Sequence, residues 1–243
     1  MSETATPSAK PAGPKWEADA KDDIRTALRK FQKPLQELVQ RDANEGDTRL
    51  LVTDFLCVAL GYDKYEDLTT EYAVRGEFAD YGVRIEKQLV AFIEVKRAAQ
   101  QLNARHLRQV ETYAVKEGLE WIILTNGQTW QAYHVTVVTG QQVSTTLALE
   151  VDVLGDETTA KKVERLFHLH RSALKRDTIS ELWKRQAATS PQALADVLRS
   201  PAVLDAMRKE IRRQNSFNAD VDELGRIIRS GVIRPELVID AKK

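Results

Sequence analysis

The sequence predicts a mixed α/β domain that passes into a helical C-terminal region. Three observations carry this. Apolar residues recur at helical spacing through the first 60 residues. Between residues 68 and 151 the pattern changes to short β-rich runs separated by turn signals, with one helical stretch among them. From Asp156 onward the pattern is helical again, and breaks at Ser190-Pro191 and Ser200-Pro201 divide it into several short helices.

Each element follows from its residues. From Trp16 to about Gln40, the residues Ile24, Leu28, Phe31, Leu35 and Leu38 recur at intervals of three and four. That spacing predicts an amphipathic helix, which Pro34 is expected to kink. Asn44 suits a helix N-cap, with Glu45 and Asp47 in the first turn and Gly61 past the end. The expected buried stripe of this second helix is Leu51, Phe55, Val58 and Ala59. Strand signals follow at 68–74, 79–85 and 89–95. Asn103 is placed to cap a helix that Gly118 ends, with Leu107, Val110 and Ala114 inward. The run WIILT at 121–125 is continuously apolar and β-rich, as a strand buried on both faces requires. Asn126-Gly127 then signals a turn, and the alternation in TWQAYHV completes a hairpin. A last strand is expected near 142–151.

Composition narrows the class. The chain has 243 residues, of which 42% are apolar and 30% charged, as in soluble globular proteins. No apolar run approaches the roughly 20 residues of a membrane span. Residues 1–15 are small, polar and Pro-rich without an apolar stretch. They read as a disordered tail rather than a signal peptide, and the expected location is cytoplasmic. Cys57 is the single cysteine, which excludes an internal disulfide and a multi-cysteine zinc site. No G-x-x-x-x-G-K-[ST] run is present, so nothing points to a phosphate-cradling loop or an ATP motor. The expected division is a tail over 1–15, a catalytic-type domain over 16–155 and a helical region over 156–243.

Net charge is zero but unevenly spread: −6 over residues 61–160 and +7 over 161–213. Two solvated surfaces that attract each other would explain this. So would a cation site beside a polyanion-binding arm. The arm would comprise Lys161, Lys162, Arg165, Arg171, Lys175, Arg176, Lys184 and Arg185.

The stretch AFIEVKR, residues 91–97, sets two opposite charges, Glu94 and Lys96, at the end of an apolar strand. A hairpin centred on Lys87 would pair Ile85 with Leu89, Gly82 with Phe92 and Asp80 with Glu94. Directly opposed residues have Cβ atoms about 4.5–5.5 Å apart on one face. Lys96, two residues on, shares that face. Tyr81, Val83, Ile85, Leu89, Ala91, Ile93 and Val95 would form the core face. Two adjacent carboxylates repel, so something must compensate. A divalent cation does so with one or two carboxylates, waters and substrate phosphate oxygens. An exposed cross-strand cluster in which Lys96 neutralises Glu94 would satisfy the same pattern.

FADYGVRIEKQLVAFIEVKR (78–97) resembles the motif of PD-(D/E)XK nucleases, most closely the N-terminal nuclease domain of type I restriction enzyme R subunits. Three further stretches resemble that subgroup. NEGDTRLLVTDFL (44–56) carries its Glu-x-x-Thr-Arg helix start at Glu45, Thr48 and Arg49. LGYDKYEDLTTEYAV (60–74) resembles the lead into the first strand, and RQVETYA (108–114) carries Gln-x-x-x-Tyr at Gln109 and Tyr113. The resemblance covers about residues 20–150. It implies a restriction-endonuclease-like core: a central mixed sheet flanked by helices, here followed by a helical appendage. It implies Mg²⁺ or Mn²⁺ held by Asp80, Glu94 and Glu45, with Lys96 as the catalytic lysine and Gln109 lining the site. Glu45 could instead only favour the helix dipole. Arg49, Gln109 and Tyr113 would face DNA, and Arg171, Lys175 and Arg176 would extend that surface. Gln109 and Tyr113 share one helix face, which could equally be plain exposed surface.

The expected function is metal-dependent hydrolysis of DNA phosphodiester bonds, endonucleolytic, with DNA as partner. The alternative is a catalytically silent nuclease-fold module that binds nucleic acid or protein in a defence or regulatory assembly. Only about 90 helical residues follow the domain where R subunits carry a motor, so a separately encoded motor or specificity protein is a further expected partner. Cutting both strands takes two sites or two visits, and a homodimer is one solution. The histidines give weaker signals: His168 and His170 lack the i, i+4 spacing of paired ligands, and His106 could touch substrate or lie on an exposed turn.

Overall fold

The computed structural model describes residues 13–74, 76–138 and 142–237. The expected N-terminal tail falls, up to residue 12, outside them. Helix α1 (Lys15–Gln40) runs on through Pro34. Helix α2 (Glu45–Val58) starts at the Asn44 cap, whose side chain accepts from the Asp47 amide at 2.8 Å. Strands β1 (Leu68–Val74), β2 (Glu77–Ile85) and β3 (Gln88–Val95) form an antiparallel meander. Helix α3 (Ala104–Glu117) crosses to β4 (Trp121–Thr125), which lies parallel to β3. Strands β5 (Thr129–Val138) and β6 (Gln142–Asp152) complete a mixed six-stranded sheet of order β1-β2-β3-β4-β5-β6.

Helices cover both faces of this sheet. Phe31 of α1 meets Phe55 of α2 edge to face, and Phe55 packs at a tilt on Trp130 of β5, at 5.5 and 5.1 Å between ring centroids. On the other face α3 sends Val110, Tyr113 and Ala114 onto Phe92 and Ile122. Gly127 turns between β4 and β5 at φ 82°, and an added Cβ there would meet Leu35 at 3.2 Å. Val58, expected inside, is largely exposed, while Val52 and Leu56 are buried in its place. The stripe of α2 is thus rotated toward the sheet.

The β2–β3 hairpin departs from the sequence expectation in one instructive way. Its turn has two residues, Glu86 and Lys87, both at positive φ (52° and 70°), so the turn is centred between them. Ile85 therefore pairs with Gln88 and Arg84 with Leu89. A bulge at Val83/Arg84 then restores the pairing of Val83 with Ala91, Gly82 with Phe92 and Tyr81 with Ile93. The bulge also turns Leu89 over: it packs with Tyr72 and Phe92 against α3, not with the Tyr81 face.

The first compact unit reaches Ser180, so the boundary expected near 155 falls inside it. Helices α4 (Thr159–Phe167) and α5 (Arg171–Leu174) belong to it. Phe167 stacks on Trp16 at 5.6 Å, Lys21 bonds Glu164 at 2.6 Å, and the buried Tyr62 hydroxyl donates to the Leu169 carbonyl at 2.7 Å. A second unit begins at Glu181 and is helical over most of its described residues. Its helices α7 (Pro191–Leu198) and α8 (Pro201–Asn215) both begin at Ser-Pro, with Pro in the first turn where no N–H is needed. With α9 (Val221–Ile227) they enclose a small core of Ala195, Leu204, Ile228 and Ile233. Helix α6 (Thr178–Ala188) spans the division.

Candidate active site

The bulged hairpin sets the register that matters. Continued one residue beyond Tyr81–Ile93, it brings Asp80 beside Glu94. Asp80 Oδ2 accepts from the Val95 amide at 2.7 Å, which fixes its carboxylate against the end of β3. Both carboxylates are buried: Asp80 is 8% and Glu94 4% exposed. The solvated cross-strand cluster that the sequence also allowed is therefore not what forms. Lys96 Nζ donates to Glu94 Oε1 at 2.5 Å.

Glu94 Oε2 is buried without a hydrogen-bond partner. Burial, then the neighbouring Asp80 charge, raises the Glu94 pKa; Lys96 and the Asp80 backbone amide oppose this without cancelling it. Burial works against the Lys96 ammonium, yet its bond to Glu94 and the charges of Glu94, Glu45 and Asp80 raise its pKa overall. Glu45 thus contributes field at the site from the first turn of α2, and its carboxylate lies 3.8 Å from the Arg49 guanidinium. Arg49 itself is ion-paired with Asp80, a contact that sequence reasoning, which had Arg49 facing DNA, did not foresee.

The segment after Lys96 is tied down from two sides. The Lys96 amide donates to the Thr125 carbonyl at 2.8 Å, and the Ala98 amide to Thr48 Oγ1 at 3.0 Å. Thr48 is fully buried and also donates to the Asn44 carbonyl, so the start of α2 locates the end of β3. Asn126 donates to the Gln100 carbonyl at 2.8 Å, and Gln100 meets His106 at 3.0 Å. His106 caps α3 with Asn103, and burial together with the Lys96 and Arg105 charges lowers its pKa. Sequence alone left His106 undecided; its position three residues after the Asn103 cap was the available signal.

Gln109 donates to the Tyr113 hydroxyl at 3.0 Å. Tyr113 is 2% exposed and packed in the core, so the pair is no open helix face, and the expected direct DNA contact of the Tyr113 ring is corrected by burial. Several side chains of the basic arm have partners within the protein, while Lys161, Lys184 and Arg185 are exposed. Arg171 clamps the buried Asp67 through Nε and Nη2, at 2.5 and 3.1 Å. Lys175 pairs with Glu86, and Arg176 lies 4.1 Å over the Trp16 ring. Lys162 donates to the carbonyls of Val153 and Gly155, and Arg165 to that of Glu150. Of the two explanations for the charge asymmetry, attraction between the helices and the core accounts for these side chains.

Residues 44–147 match the family described as the type I restriction enzyme R protein N terminus. The similarity to that family thus spans somewhat less than half of the chain. It runs from the α2 cap into β6, and so takes in every residue of the site just described. No curated protein and no solved structure matches the chain. Outside the matched segment, α4 packs on β6 and on α1, and no described helix is long and apolar enough to cross a membrane.

The donor set suits a small divalent cation. No group of three metal-ligating side chains gathers among the described residues. Two adjacent carboxylates do, and the Oε2 of Glu94 is buried without a hydrogen-bond partner. Mg²⁺ takes one or two carboxylates and fills its remaining positions with water and phosphate oxygens, so two are enough.

Proposed function

We propose that this chain is a metal-dependent nuclease of the PD-(D/E)XK type, acting on DNA. The single observation that carries this reading is the buried Asp80–Glu94 pair with Lys96 2.5 Å from Glu94 at the end of one strand. Asp80 and Glu94 would hold Mg²⁺ or Mn²⁺, with Glu45 adding negative field. The bound cation supplies charge stabilisation at the phosphate and a more acidic water. Lys96, kept protonated by its neighbours, orients the attacking water and meets the charge that develops on the phosphate oxygens. Thr48 and Thr125 hold that lysine's backbone in place, and Gln109 lines the approach. The family description supports DNA as substrate and other restriction-type subunits as partners.

A second reading has its own observation. Arg49 occupies Asp80, as a permanent counter-charge would in a silent binding module. One assay separates the two. Supercoiled and linear DNA are incubated with the full chain, with Mg²⁺, Mn²⁺ or EDTA. Cleavage that needs the metal and disappears in Glu94→Ala supports the nuclease. DNA retention without cleavage, unchanged in Glu94→Ala, supports the module.

A further inference from the structure

The Arg49 guanidinium lies among three carboxylates. Nη2 is paired with Asp80 Oδ1 and stands 3.8 Å from Glu45 Oε1; Nη1 is 3.6 Å from Glu71 Oε1. Its Nε is buried without a hydrogen-bond partner. Its backbone is held as firmly: the Arg49 carbonyl accepts from the Thr53 hydroxyl at 2.8 Å and the Tyr81 hydroxyl at 3.0 Å. The Glu71 side of the cluster is built at a backbone cost. Glu71 sits at φ 49° inside β1, in the left-handed region that non-glycine residues avoid. The β1–β2 ladder passes from Thr70–Tyr81 to Tyr72–Ala79 and leaves Glu71 unpaired. Strain of this kind persists where surrounding structure imposes it.

From this geometry we infer that Arg49 is the resident counter-cation of the carboxylate site and competes with the divalent metal for Asp80. The inference rests on the metal-site reading above and deepens it. With Val95 on Oδ2 and Arg49 on Oδ1, both oxygens of Asp80 are engaged, whereas Glu94 keeps a free oxygen. A cation can enter at Glu94 first, and binds Asp80 fully only as the guanidinium withdraws. Glu45 and Glu71, already 3.8 and 3.6 Å away, receive the guanidinium on the outer side. There its remaining donors face outward in the forked geometry that suits two phosphate oxygens. Arg49 is thus a positioning residue that couples metal loading to phosphate capture.

The test is Mn²⁺ titration of the full chain without DNA, read by the rise in Tm, for wild type, Arg49→Met, Arg49→Lys and Glu94→Ala. Arg49→Met is expected to bind Mn²⁺ about tenfold more tightly than wild type, a difference of about 1.4 kcal/mol. Arg49→Lys falls between them, because lysine keeps the charge and loses the fork. In the cleavage assay Arg49→Met raises KM for DNA. Glu94-dependent Mn²⁺ binding in wild type that is equal or weaker in Arg49→Met overturns the inference and leaves the metal site standing. Should Arg49→Met fail to fold, an Arg49→Lys affinity equal to wild type overturns it in the same way. Absence of Glu94-dependent Mn²⁺ binding in every variant overturns the metal-site reading as well.

Discussion

Replacing Glu94 by glutamine separates the structural from the functional role of the carboxylate pair. The side chains of Glu94 and Lys96 are 5% and 14% exposed and meet at 2.5 Å. Removing one partner of a buried ion pair costs about 3–5 kcal/mol. Glutamine keeps the shape, and its amide oxygen still accepts from Lys96, retaining about 1.5–3 kcal/mol for a hydrogen bond to a charged group. The Asp80 repulsion and the cost of burying a charge are also relieved. Together these leave Glu94→Gln as stable as wild type, or more so, in metal-free buffer at neutral pH. Saturating Mg²⁺ changes the comparison. At a hundredfold excess over Kd it stabilises a protein that binds only when folded by about 2.7 kcal/mol. Glu94→Gln forgoes this, so in Mg²⁺ it should fall about 2.7 kcal/mol further behind wild type than in EDTA. Urea unfolding of both proteins in EDTA and in Mg²⁺ measures the two gaps. Equal gaps in the two media would refute the reasoning, since Glu94 would then hold no cation.

The same pair sets a pH dependence. Ionising Glu94 costs more in the folded protein than in the unfolded chain, so stability should fall as pH rises from the ordinary carboxylate range through its raised pKa. The Lys96 contribution is fully present below the ordinary lysine pKa and lost as pH climbs through its raised value. Urea midpoints against pH should lose the first step in Glu94→Gln and the second in Lys96→Met. Thr48→Val leaves the Ala98 amide buried without an acceptor, a cost of about 1–3 kcal/mol, and should slow cleavage by loosening the Lys96 segment; unaltered stability in a thermal melt would contradict this. Arg171→Ala uncovers Asp67, which is 2% exposed. Screening at the half-exposed guanidinium tempers the loss to about 2 kcal/mol, so Tm should drop while DNA retention on a gel does not. Gly82→Ala places a Cβ 2.6 Å from Tyr72 Cδ2, and about 1–3 kcal/mol of overpacking should appear as a lowered urea midpoint.

The order of elements was legible because local signals mark it: the Asn44 and Asn103 caps, the Gly118 stop, the Asn126-Gly127 turn and the two Ser-Pro starts all stand where the chain turns. The pairing Gly82–Phe92, which brings Asp80 to Glu94, was also readable, since hairpin neighbours are close in sequence. The compensating bulge was not. It arises because a two-residue turn and the buried alternation of both strands demand registers one residue apart.

Sequence by itself determined the elements, their order and the residue types at the end of β3. Tertiary structure decided the rest: that Thr48 locates the Lys96 segment, that Arg49 sits on Asp80, that Tyr113 is core, and that Arg171, Lys175 and Arg176 meet Asp67, Glu86 and Trp16. The physical reason is range. Caps, turns and periodicity are energies between residues a few positions apart, written locally in the chain. A charge acquires its partner only when folding brings distant segments together and strips their water, and nothing in Arg171 alone records that Asp67, over a hundred residues away, will be buried beside it.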